Sequence, residues 1–290
     1  MSIQKRLQNG EFVVLAEMNT PKGVDISRFM TNLRHIKERI DGIVVPDMDN
    51  GIMRMSALAG GLLVQQQGIE SIITVYGRDR NRMALQGDLL AAHVLGIQTL
   101  IVVQGESMVK SDDRNTLPVD DLDELGLLAA IRSLQEGKDL AGFDLEGRPR
   151  FHVGCCIAPF ANDAGLNTQL DLAKKKIAAG AGFLITPPVF DINRFESFMQ
   201  KASTLKVPII PSVFLIKSVA VARYIATNEP GASMSEELIR RIRKSSDREL
   251  EGVKIAGETV ASLRKMAQGV LIQTMGWEHR LPDILDGAGS

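Results

Sequence analysis

An acidic residue near the end of an otherwise apolar run is the first place where this sequence could do chemistry. Glu17 sits near the end of FVVLAEM (12–18), just before Asn19, Thr20, Pro21 and Gly23 break the run. A carboxylate among apolar neighbours is costly unless it is paired or faces a polar cavity. Such neighbours also raise its pKa toward the working pH, where a group can both give and take a proton. Glu17 is therefore the candidate general acid or base, the alternative being a carboxylate paired to a structural Arg or Lys.

A second polar constellation follows the apolar run 71–76, which carries Thr74 and Tyr76. Arg78, Asp79, Arg80, Asn81 and Arg82 open the helix that comes next. Backbone N–H groups at a helix start, with guanidinium groups beside them, suit phosphate oxygens. Taken by itself, the cluster reads rather as an ordinary charged loop whose Arg and Asp pair with one another. After the next apolar run, 99–103, come Gln104, Gly105 and Glu106. No G-x-G-x-x-G and no Walker sequence occurs, which disfavours a Rossmann or P-loop nucleotide site.

Other reactive side chains have weaker settings. His35, His93, His152 and His279 lack metal or triad spacing, and Cys155 and Cys156 are adjacent, so they neither staple a scaffold nor build a zinc site. Lys176 shares a helical stretch with Lys174 and Lys175. It reaches a site only if that helix lines a cofactor groove. Lys217 follows a strand, as a Schiff-base lysine of a barrel aldolase would, but has no acid motif beside it.

The elements that must position these groups alternate regularly. Strands are expected at 12–18, 42–45, 71–76, 99–103, 151–157, 182–186, 207–214 and 269–275, the sixth being ended by Pro187 and Pro188. Most are continuous apolar runs, the pattern of parallel strands covered on both faces. Helical stretches follow them: one through 40 with caps at Asp25 and Ser27, then 56–66, 81–94, 120–135, 168–178, one carrying Ile192, Phe195 and Met199, two or three between 219 and 268, and 277–285. Eight strand-helix units over 290 residues with no change of composition predict α/β architecture, one (β/α)8 TIM barrel spanning 1–290. Such barrels keep their chemistry at the carboxyl ends of the strands. The longest irregular connection, 107–118, has the length of a lid.

Composition narrows the partners. A net charge of −1 gives no electrostatic case for nucleic acid or an anionic membrane. No apolar run approaches the ~20 residues of a membrane span, and MSIQKRLQNGEF lacks the apolar core of a signal peptide. A reducing, cytoplasmic setting is expected.

The motifs AEMNTPKG around Glu17, RMSALAG (54–60), TVYGRDRNRMALQGDLLAAHVLGI (74–97), DLDELGLLAAIRSLQEGKDLAG and GCCIAPFA together resemble the 5,10-methylenetetrahydrofolate reductase family over essentially the whole chain. The similarity is to a short anaerobic, acetogen-like bacterial form without a regulatory domain, which MGWEHRLPDIL near the end also resembles. The resemblance implies a flavin-containing barrel, with FAD or FMN, that passes a hydride from reduced flavin to 5,10-methylenetetrahydrofolate and forms 5-methyltetrahydrofolate. Glu17 matches the acid that protonates N10. Thr74, Tyr76, Arg78, Asp79 and Asn81 match flavin-contacting positions, as do Gln104 and Gly105, and Lys176 matches a basic residue near the flavin phosphates. Glu106 and Gln273 match positions facing the folate, Glu106 also acting in catalysis.

Three positions depart from the family. Glu106 replaces an Asp, Pro187 a Gln that contacts folate and nicotinamide, and Ala158 an Asn. These changes weigh against direct use of NAD(P)H and toward electrons delivered by a partner redox protein. They also motivate a second reading, a non-catalytic or electron-accepting subunit of a larger folate or one-carbon complex; as to assembly, a complex subunit and a homo-oligomer are both open. A pterin-dependent methyltransferase barrel is the third.

Overall fold

The computed structural model describes residues 1–105, 108, 111–159, 163–228 and 232–289, without the side chains of residues 163 and 164. Eight parallel strands close in sequence order: β1 (Val13–Glu17), β2 (Gly42–Val45), β3 (Glu70–Tyr76), β4 (Thr99–Val103), β5 (His152–Cys156), β6 (Phe183–Pro188), β7 (Ile209–Phe214) and β8 (Gly269–Gln273). β8 pairs back to β1, so the (β/α)8 barrel expected from the strand count is complete. The helices are α1 (Ile3–Gln8), α2 (Ser27–Ile36), α3 (Ala57–Gln66), α4 (Arg82–Val94), α5 (Glu124–Glu136), α6 (Asp163–Ala179), α7 (Ile192–Ala202), α8 (Val219–Asn228), α9 (Glu236–Lys244), α10 (Arg248–Leu263) and α11 (Leu281–Gly287). None of the described helices is long and apolar enough to cross a membrane.

Strand alternation decides what the barrel interior holds. Val13 and Leu15 of β1 pack with Val44, Ile72, Ile101, Phe183, Ile210 and Leu271 inside the barrel. Val14 and Ala16 instead join the layer between strands and helices. Counting on by two residues from the interior positions brings Glu17, Thr74, Tyr76, Ser212, Phe214 and Gln273 to the carboxyl end on the same side. The polar mouth is thus a consequence of strand parity. Phe183 fills the interior because β5 offers Gly154 opposite it, where a Cβ would lie 2.3 Å from the ring.

The amino end of the barrel is closed by an element the sequence reading did not assign. Helix α1 inserts Ile3 and Leu7 into the interior cluster. The Ile3 N–H donates to Glu70 Oε2 at 2.7 Å, and the Thr99 hydroxyl donates to Glu70 Oε1 at 2.8 Å. Six residues are too few for a periodic signal, so the plug is held by burial and by these two bonds.

Boundaries moved where local chemistry overrides pattern. Helix α5 starts at Glu124 because Asp123 caps it, accepting the Gly126 N–H at 2.7 Å. Asp25 does not cap α2 but accepts the Ser27 N–H at 2.9 Å in the turn before it. Helix α6 begins at Asp163, five residues before the expected start. Strand β6 continues through Pro187 and Pro188, which lack N–H donors, with a register shift between Ile185 and Pro188 where β6 meets β7.

Candidate active site

Glu17 ends β1 and lies in register with Val44 on one side and Gln273 on the other. Gln273 Nε2 donates to Glu17 Oε2 at 2.9 Å. Burial raises the Glu17 pKa from 4.5 to about 7, against the Gln273 bond, which lowers it, and with a smaller raising effect from the Asp49 charge. No Arg or Lys forms an ion pair with Glu17 among the described residues. Its side chain is half-buried at the open end of the barrel, so near neutral pH it holds its proton about half the time while facing the mouth.

Around the ends of β2 and β3 the charges are organised by an aspartate that sequence reasoning missed. The Asp47 N–H donates to Thr74 Oγ1 at 2.8 Å. Asp47 Oδ1 accepts the Ala57 N–H at 2.9 Å, and Oδ2 accepts from Arg80 Nη1 at 2.6 Å. Arg80 also pairs with Asp88 at 2.9 Å. The available signal was an Asp two residues past the apolar run of β2, after Pro46.

The sequence brings Arg78, Asp79 and Asn81 together, each with a partner in the fold. Arg78 is 3% exposed and forks onto Asp79 with Nε–Oδ1 at 2.8 Å and Nη2–Oδ2 at 2.9 Å. Its guanidinium also donates to Met48 O at 3.1 Å and lies 4.7 Å over the ring of buried Tyr76. Asn81 caps α4, its Oδ1 accepting the Met83 and Ala84 N–H groups at 3.1 and 3.0 Å. Arg82 pairs with Asp121 at 3.1 Å.

Gln104 is exposed just past β4, and Gly105 follows it with φ +84, a conformation side chains rarely adopt. A Cβ there would come within 2.9 Å of Tyr76 Cδ1, so Gly105 packs flat on the Tyr76–Arg78 pair. Glu106 lies outside the described residues. Lys176 is buried behind β5, pairing with Glu124 at 2.8 Å and donating to Cys156 O at 2.8 Å. Burial raises the Glu124 pKa despite that lysine, and burial with the nearby Glu124 charge pushes the Cys155 thiol strongly up, leaving it unreactive.

The remaining candidates lie apart from Glu17. His152 begins β5 at the amino end, stacked 4.8 Å from Phe183, with its pKa pushed down to about 4 by burial. A cavity of about 700 Å³ adjoins it there, away from Glu17. A second cavity, of about 320 Å³, opens at the carboxyl end between Arg78, Met48, Met53, Met108 and Leu117. Described residues of the long connection after β4 are laced to the loops after β2 and β1. Ser111 Oγ donates to Gly51 O at 2.8 Å, and Lys22 pairs with Asp112. Pro187 and Ala158 are exposed at the ends of β6 and β5.

These groups test the fit of a flavin. Gln104, Gly105 and Thr74 present neutral polar groups and close-packed backbone suited to a flavin ring. The cations expected for its phosphates do not fit as placed: Arg78, Arg80, Arg82 and Lys176 each already hold a carboxylate of the protein.

One Clostridium thermocellum structure, an uncharacterized protein that binds two copies of 5-methyl-5,6,7,8-tetrahydrofolic acid, aligns over 98% of both chains at TM-score 0.69 and 15% identity. The EDTA monooxygenase EmoA of Chelativorans sp. BNC1 aligns over 96% of this chain and 94% of its own at 0.57 and 10% identity. Mycobacterium tuberculosis tryptophan synthase aligns over 99% and 98% at 0.55 and 12% identity. Likeness at such identities shows the barrel fold alone. No curated protein matches the chain. The sequence profile named methylenetetrahydrofolate reductase matches residues 2–289, so this chain belongs to the methylenetetrahydrofolate reductase family.

Proposed function

We propose that the protein reduces 5,10-methylenetetrahydrofolate to 5-methyltetrahydrofolate, with Glu17 as the proton donor. The observation that carries this reading is a carboxyl with a pKa near 7 at the barrel mouth, hydrogen-bonded by Gln273 and with no ion pair among the described residues. An acid with that pKa keeps a useful protonated fraction at neutral pH and transfers the proton with little driving-force penalty. Proton delivery to N10 breaks the bond between N10 and the bridging carbon. The carbon left on N5 is then electrophilic and accepts a hydride, so one proton and one hydride account for the product.

A reduced flavin, when bound, supplies that hydride. Thr74, Gln104 and Gly105 are the residues that would hold its ring. Its diphosphate is not assigned to the Arg78–Arg82 loop or to Lys176, because those charges are neutralised within the fold. Electrons reach the site from NAD(P)H or from a partner redox protein, and Pro187 at the end of β6 favours the latter. The structure of the Clostridium thermocellum protein with a methylfolate supports the folate reading.

The test is anaerobic incubation of the purified protein with methylenetetrahydrofolate and chemically reduced flavin. Chromatographic appearance of 5-methyltetrahydrofolate in catalytic amount supports the reading. Its absence with FAD and FMN alike, at any donor concentration, overturns it.

A further inference from the structure

The outer face of a barrel helix meets solvent and is expected to be polar. That of α4 is not. Met83, Leu90 and Val94 are 75%, 36% and 83% exposed, and exposed Gly87 completes the i, i+4, i+7, i+11 stripe opposite the buried Leu85, Leu89 and Ala92. The two charged residues of α4 sit beside the stripe and pair within the chain, Arg82 with Asp121 at 3.1 Å and Asp88 with Arg80 at 2.9 Å. His93 turns aside as well, accepting the Arg150 N–H and meeting Phe151 edge to face. A run of ~17 Å along the helix axis, at ~1.5 Å per residue, therefore carries no charge. The apolar face extends to both sides. Exposed Phe143 stands in the turn that Gln86 holds, Gln86 Oε1 accepting the Leu140 N–H at 2.7 Å. On the other side α3 has no charged residue, its Leu58, Leu62 and Leu63 are only half-buried, and Gln65 Nε2 ties it to Gly96 O at 3.0 Å. Gly87 points to the occupant. It lies in mid-helix, where glycine is a poor helix former, and an added Cβ would meet nothing within 4 Å, so nothing in the chain fills the space a side chain would take.

We propose that α4 is the centre of a two-fold interface with a second copy of this chain, the two α4 helices running antiparallel. A two-fold axis crossing α4 between Asp88 and Leu89 sends Met83 onto Val94, and Gly87 onto Leu90, of the second copy. At ~100° per residue Gly87 and Leu90 lie at equal angles on opposite sides of the stripe's midline, so the same rotation seats Leu90 of the second copy over the space that Gly87 leaves. A contact between identical surfaces needs this self-matched order of large and small residues. It also needs a midline without charge, because a charge there would meet its own copy. A patch of ~17 Å by ~30 Å, three elements ~10 Å apart, is a plane of ~500 Å², which side-chain relief brings toward the ~800 Å² per partner of a stable dimer.

The experiment is sedimentation of the full chain across micromolar concentrations, joined to disulfide trapping under oxidising conditions. Wild type should sediment at twice the mass of one chain. Leu90→Glu changes only the outer face, and Gly87→Leu fills the open space. Each should weaken the dimer by at least ~100-fold with an unchanged circular-dichroism spectrum. Met83→Cys mixed with Val94→Cys should trap a crosslinked pair, and neither should do so alone; wild type is the blank for Cys155 and Cys156. The trap remains decisive if Gly87→Leu fails to fold. A monomeric wild type overturns the proposal, as does a dimer that survives Leu90→Glu. Absence of the mixed trap, or trapping of Met83→Cys with itself, overturns the antiparallel pairing.

Discussion

Glu17 and Gln273 are register partners on β1 and β8, and the amide of one donates to the carboxyl of the other at 2.9 Å. The bond favours the ionised carboxylate, so it works against the burial that raises the Glu17 pKa to about 7. Replacing Gln273 with Leu removes the donor and leaves the burial. The apparent pKa of Glu17 should then rise above 7, and a pH-rate profile for folate reduction should move its limb to higher pH. A profile unchanged between the two proteins would show that another group titrates.

The same shift has a consequence for stability. The folded pKa of Glu17 lies above its ordinary 4.5, so its contribution is fully present below about pH 4.5 and is lost as pH rises through about 7. After allowance for solvent at this half-buried group, ~1–3 kcal/mol is at stake. Glu17→Gln should melt at a higher temperature than wild type at pH 8.5 and near the wild-type temperature at pH 4.5. Parallel melting curves at both pH values would contradict the burial of the carboxyl.

Arg78 and Lys176 hold partners that would otherwise be buried and unpaired. Arg78→Ala abandons Asp79 and should cost ~3 kcal/mol; Arg78→Lys loses the two-pronged fork and should recover only part. Lys176→Met abandons Glu124 in the same way. Adding Glu124→Gln to Lys176→Met should restore most of the loss, because no charge then remains. Denaturant unfolding of the four variants reads this directly, and it also separates a structural role from phosphate binding. If these cations are structural, flavin affinity stays unchanged per folded molecule.

Helix α1 closes the amino end of the barrel with two apolar side chains. Leu7 is 3% exposed, and Leu7→Ala should cost ~2–4 kcal/mol. Thermal unfolding checks the magnitude, and a change under 0.5 kcal/mol, the scale of a surface substitution, would mean that α1 does not plug the barrel.

The barrel was legible because strands covered on both faces must be apolar runs, and eight such runs alternate with helical stretches. Glu17 was legible because an acid in such a run demands an explanation. The charged loop was not. Arg80 finds Asp47 33 residues away and Arg82 finds Asp121 39 residues away, and the pairing of β3 with β2 and β4 brings those carboxylates near. Spacing left a phosphate site and a self-paired loop both open: Arg78 pairs within the loop, with Asp79, whereas Arg80 and Arg82 turn to carboxylates of other loops. The extension of β6 through two prolines was hidden for a related reason: Ser212 Oγ donating to Thr186 O at 2.7 Å and the Val189 N–H donating to Ser212 O at 2.9 Å hold that edge, and both come from the β6–β7 pairing.

The role of Glu17 is tested most directly by following the folate half-reaction alone. Wild type and Glu17→Gln are reduced anaerobically in the presence of flavin, then mixed rapidly with methylenetetrahydrofolate while 5-methyltetrahydrofolate is quantified. A positioned general acid accounts for ~10²–10⁴-fold in rate. The variant should therefore accept electrons at the wild-type rate and form methylfolate slower by that factor. Equal rates of methylfolate formation in the two proteins would contradict the assignment of Glu17 as the proton donor.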